Sequence, residues 1–192
     1  MPQASQTCHR TQADAKCPNQ AFLPFGSNLP DSMNSAIQQF LTQDAIQNYA
    51  RELDPSGNDS VFEKLQELEA GSLVEGSIRD PEMADCCKSG IWLLHNFLHE
   101  SHDLSQSIHS AEGSWWHAIM HRTEGDFSNS KYWYRRAGEH EAFGDVGPTF
   151  DPYAFVDRCQ KEYGKGPLSD ETQQIAFAEW EALFNYCQQN AG

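Results

Sequence analysis

Seven of the eight histidines fall between positions 95 and 140: His95, His99, His102, His109, His117, His121 and His140. Imidazole is a metal ligand and an acid–base group near neutral pH, so this density is the first sign of chemistry in the chain. His95, His99 and His102 are spaced i, i+4, i+7, which puts them on one face of a continuous helix. His117 and His121 form an H-x-x-x-H pair one turn apart. Glu124 comes three residues later, and Asp126 opens a turn. Such a histidine pair chelates a divalent ion, and a carboxylate completes a mixed nitrogen–oxygen site.

The expected metal set is His102, His117, His121 and Glu124, with zinc, iron or manganese as the ion. His102 lies four residues from Leu98, hence near the core face, and the other pair follows a tryptophan-rich helix start. Glu124 and His117 are the candidate catalytic acid–base groups. Zinc-protease chemistry is not indicated, because His117-Ala-Ile-Met-His121 lacks a glutamate beside its first histidine. The E-x-x-H spacing of di-iron bundles is absent at these positions too.

Residues 113–136 hold three of the five tryptophans, interleaved with Arg122, Glu124, Asp126, Arg135 and Arg136. Two readings fit: an ion-pair lattice pinning two helices, or a polar pocket. In a pocket, Arg122, Arg135 and Arg136 would clamp a carboxylate or phosphate. Trp115, Trp116, Tyr132 and Trp133 would wall it and stack on a flat ligand. Asn129 would orient that ligand or cap a helix. Residues 122–165 are nearly neutral in an otherwise acidic chain, so a small anionic molecule is tolerated there and repelled elsewhere.

The stretch from 113 to 140 resembles one tetratricopeptide unit, a helical hairpin repeat. Gly125-Asp126-Phe127 looks like its turn. Ala118, Ser130 and Ala137 occupy the small-residue slots, and Tyr134 an aromatic one. Ser114, His117 and His121 stand where the family places Trp, Leu and Tyr. No second copy occurs at the required period, and arrays need about three units. The resemblance therefore implies a helix–turn–helix, with a peptide-binding module as the function attached to it.

These residues need helices to position them. Val, Ile and Thr number only four, seven and six, and no run alternates with period two. The expected class is all-α: a bundle or stacked helical hairpins of roughly seven helices. Residues 1–33 read as a mobile, disordered polar arm, anchored by Phe22, Leu23 and Phe25. Residues 34–192 read as one helical domain. Helical spacing runs from Ser35 to Tyr49, and again from Ser60 to Ala70. Asp80-Pro81 caps a long helix to about Ser110, weakened at Gly90. Ala111-Glu112-Gly113 separates it from a short helix over 114–122. Another covers 128–140. Asp151-Pro152 repeats the cap, Gly164 ends that helix, and Ser169 caps the last.

Composition bounds the partners. The chain has 192 residues, with 13 Lys+Arg against 28 Asp+Glu, for a net charge of −15. That argues against nucleic acid or an anionic membrane, since both need a basic face. Ten acids between 52 and 85 read as a solvated surface. No apolar run reaches the length of a membrane span, and Met1 to Gln20 does not resemble a secretory signal. The expected setting is cytoplasmic, where six cysteines with no C-x-x-C pair read as free thiols. Three functions remain: a metal-dependent hydrolase, lyase or oxygenase on a small anionic substrate; a peptide-binding helical module; and a pH sensor built on clustered histidines. Oligomeric state is not legible.

Overall fold

The computed structural model describes residues 35–53, 55–57 and 59–192. The expected N-terminal arm, with Phe22, Leu23 and Phe25, lies outside them. The described residues are all-helical, with no strand. The helices are α1 (Ser35–Gln38), α2 (Gln43–Asn48), α3 (Asp59–Gln66), α4 (Pro81–Leu94), α5 (Leu98–Ser105), α6 (Ala111–Glu124), α7 (Phe127–Ala137), α8 (Phe143–Val146), α9 (Pro152–Glu162) and α10 (Asp170–Ala191). A 3-10 turn covers Ala70–Leu73.

Among the described residues ten helices replace the expected seven, because local chemistry splits two of them and adds a short one. Thr42 accepts a hydrogen bond from the Ala45 amide and starts α2 afresh, so 35–49 is two helices. The expected long helix from Asp80 ends at Leu94. Asn96 takes a left-handed conformation, φ 63°, which Asn tolerates better than most residues. The Phe97 ring then packs on Phe62 and Trp92, at 5.1 and 5.4 Å between centroids. Gly90 does not weaken α4. A Cβ there would sit 2.7 Å from the Trp116 ring, and the Gly90 carbonyl accepts from Trp180 Nε1 at 2.7 Å. The glycine lets two indoles touch the helix backbone.

Residues 111–113 are not a break. Ser110 accepts from the Gly113 amide and opens α6 at Ala111. Asp80 and Asp151 cap α4 and α9 as their Asp-Pro pairs predict, and Ser169 caps α10.

Successive helices fold back on one another. Each turn is spanned by a bond between residues twelve apart: Ser89 to Ser101 across α4–α5, Ser105 to His117 across α5–α6, and Ser130 to the Ala118 carbonyl across α6–α7. At the last turn Gly125 has φ 91° and its amide reaches back to α6, a conformation glycine adopts without penalty. Asp126 then caps α7. The long α10 packs along α4, with Phe177, Trp180 and Phe184 stacked in sequence. Trp115, Trp116 and Trp180 are wholly buried in the core between them. Cys86, Cys87, Cys159 and Cys187 are buried free thiols. Among the described residues no helix is long and apolar enough to cross a membrane.

Candidate metal centre

The break at Asn96 decides which histidines meet. It rotates α5 relative to α4, so His95, His99 and His102 do not share a face. His95 is buried against Phe40. His99 points to solvent beside Asp103, with its side chain 81% exposed. His102 turns instead toward α6.

There it joins His117 and His121. Ring centroids lie 4.6 Å apart for His102–His117, 4.6 Å for His117–His121 and 5.5 Å for His102–His121. Each ring offers one nitrogen, and the three nitrogens lie within 4.8 Å of one another. A zinc–nitrogen bond of about 2.0–2.1 Å in tetrahedral geometry needs nitrogens roughly 3.3 Å apart.

Hydrogen bonds fix the two α6 rings. Ser105 Oγ lies 3.3 Å from the His102 carbonyl, to which it donates, and 3.0 Å from His117 Nδ1. A hydroxyl has one proton; with that proton on the His102 carbonyl, His117 Nδ1 donates to Ser105 Oγ and Nε2 keeps its lone pair for an ion. Glu124 Oε1 accepts from His121 Nδ1 at 2.5 Å, and the Asn129 amide donates to His121 Nε2 at 2.9 Å. Both bonds give His121 the same tautomer, with Nε2 unprotonated and its lone pair accepting from the Asn129 amide, which an incoming metal ion has to displace. A carboxylate or hydroxyl on Nδ1 is how proteins orient metal-binding histidines.

Burial, followed by the neighbouring His121 and His102, holds the His117 pKa down to about 3. Its ring is therefore neutral near pH 7, the form that binds metals. His102 stands on the solvent side, with its side chain 31% exposed, while His121 is buried like His117. Trp133 of α7 covers His117 at 4.1 Å between centroids.

Glu124 differs from its expected place. It is not in the three-histidine group but forms a second one with His121 and Asp126. Its bond to His121 Nδ1 makes it an orienting group for that ring.

The arginines separate. Arg122 is not in the site. It is buried, 2.6 Å from Glu179 Oε2 and 2.6 Å from Tyr134 Oη, with its guanidinium over Phe155. Glu179 also accepts from Trp115 Nε1 and from Tyr134 Oη. The ion-pair lattice is thus the right description of Arg122, and the pocket reading fails for it because its charge is neutralised inside the core. Trp116 is sealed in the core against Gly90 and walls nothing. Arg135 and Arg136 are exposed on α7, over the rings of Tyr132 and Trp133. Tyr132 is exposed, and Asn129 holds His121 rather than capping a helix.

Sequence reasoning missed Ser105. It lies one helical turn after His102, and that spacing alone marked it as a neighbour. It also missed Glu179, whose partner lies in another helix 57 positions away. No protein-family model matches the chain, and neither a curated protein nor a solved structure matches it.

Proposed function

We propose that the protein is a metal-dependent enzyme in which His102, His117 and His121 hold one divalent ion, zinc, iron or manganese. The observation that carries this reading is the convergence of three ring nitrogens within 4.8 Å, two of them on rings hydrogen-bonded to Ser105 and Glu124. Three protein ligands leave a coordination position for water or substrate, the pattern of catalytic rather than structural zinc. A bound ion there supplies an activated water or a polarised carbonyl, which suits hydrolysis, lyase or oxygenase chemistry.

The protein's own groups have separate roles. Ser105 and Glu124 orient His117 and His121. Glu124, 37% exposed in its side chain, stands at the solvent edge as the proton acceptor. Arg136 lies over Trp133, and Trp133 lies on His117, so Arg136 and its neighbour Arg135 draw a small anionic substrate to the same face. Tyr132 flanks them.

The test is metal content by mass spectrometry on untagged protein purified without chelator, beside His121→Ala. The expected result is near one equivalent in the native chain and none in the variant, with unchanged helicity. No metal in the native chain, or equal metal in both, overturns the reading.

A further inference from the structure

We propose that Asn129 is a latch on the metal centre: its side-chain amide closes the ligating nitrogen of His121 and sets how tightly an ion is held. The inference rests on the three-histidine reading and adds to it a residue that opposes the ion instead of binding it.

His121 is held at both ring nitrogens. Glu124 Oε1 accepts from Nδ1 at 2.5 Å, and Asn129 Nδ2 donates to Nε2 at 2.9 Å. With the proton on Nδ1, Nε2 has one lone pair in the plane of the ring. That lone pair serves one partner, an N–H or an ion. An ion about 2.0–2.1 Å from Nε2 stands where the amide proton now lies. The other two rings are not closed in this way. Ser105 engages His117 at Nδ1. His102 Nδ1 lies 3.6 Å from Asp103, beyond hydrogen-bond reach.

Packing decides which group yields. Asn129 and Trp133 are four residues apart on α7, as His117 and His121 are on α6. The two helices run antiparallel, so Asn129 meets His121 and Trp133 meets His117. The α7 backbone is pinned: Ser130 donates to the Ala118 carbonyl at 2.8 Å, and Tyr134 is bonded to Arg122 and Glu179 in the core. The His121 ring cannot turn without giving up Glu124. The Asn129 side chain is half-buried, and its bond to His121 is its one side-chain hydrogen bond among the described residues. Rotation about its own χ angles therefore opens the site. Asp126 caps α7 through the Asn129 backbone amide, which that rotation leaves in place.

A bond that exists only in the unloaded protein subtracts from metal affinity. The net worth of a hydrogen bond between neutral groups corresponds to about 2- to 12-fold in an equilibrium constant.

The experiment is a chelator-competition titration with zinc on the native chain and on Asn129→Ala, beside side-chain ¹⁵N spectra of His121 in both metal-free proteins. Alanine suits a helix and keeps the backbone amide that Asp126 caps. The expected result is zinc bound about fivefold more tightly by the variant, with the His121 Nε2 resonance displaced in the metal-free variant. Zinc held by the native chain but bound equally or more weakly by Asn129→Ala overturns the latch and leaves the three-histidine reading standing. An Nε2 resonance that does not move on substitution overturns the latch as well. No zinc in either protein overturns both.

Discussion

Ser105 Oγ and His117 Nδ1 lie 3.0 Å apart, and that one bond joins α5 to α6 at the centre of the histidine cluster. It engages Nδ1 of His117 and leaves Nε2 on the other side of the ring. Replacing Ser105 with Ala is expected to weaken metal binding about 10- to 100-fold, the usual range for losing such an orienting partner. A chelator-competition titration measures it. Unchanged affinity in a folded Ser105→Ala protein means the hydroxyl does not orient the ring.

Arg122 and Arg135 are 13 positions apart and face opposite fates. Arg122→Met leaves Glu179 as an unpaired buried carboxylate, so it is expected to cost about 3–5 kcal/mol of stability. Arg135→Ala is expected to change stability by less than about 0.5 kcal/mol. Urea unfolding of both variants checks this. Equal, small effects would show that the Arg122–Glu179 pair does not hold the core.

Gly90→Ala sets two effects against each other. Alanine improves helix propensity by about 1 kcal/mol. Its Cβ would sit 2.7 Å from the Trp116 ring, and a rigid indole inside a packed core cannot swing clear. Overpacking costs typically about 1–3 kcal/mol, so the variant is expected to be less stable than the native chain. A melting temperature at or above the native one contradicts that packing.

His95 gives stability a pH dependence with a definite sign. Burial lowers its pKa in the fold below the ordinary 6.5. The unfolded chain therefore binds more protons as pH falls past 6.5, and stability is lost from there downward. It is fully present above that value. His95→Gln keeps an N–H for the Phe40 carbonyl and cannot titrate. The expected outcome is a smaller loss of unfolding free energy between pH 7.5 and 5.5 in the variant than in the native chain. One proton sets the ceiling on that difference, about 1.4 kcal/mol for each pH step of one below 6.5. Identical pH profiles count against a neutral buried His95.

Local chemistry was readable in the sequence. Asp80-Pro81, Asp151-Pro152 and Ser169 start helices because a capping side chain acts within three residues. The subset His102, His117 and His121 also followed from spacing and from a nearby core residue. Long-range packing was not readable. Asn96 goes left-handed where Phe97 docks on Phe62 and Trp92, and Phe62 belongs to a distant helix. Arg122 looked like an anchor because Glu179 and Tyr134 reach it only through the tertiary fold. Trp116 looked like a wall because nothing local shows that it rests on Gly90.

Trp133 rests 4.1 Å from His117, while Trp115, Trp116 and Trp180 are enclosed in the core. Its indole is thus a fluorophore at the edge of the histidine cluster. Open-shell ions such as iron or manganese quench a neighbouring excited indole, whereas closed-shell zinc does not. The emission of Trp133, taken as the difference between the native chain and Trp133→Phe, reports from within the molecule which kind of ion has arrived.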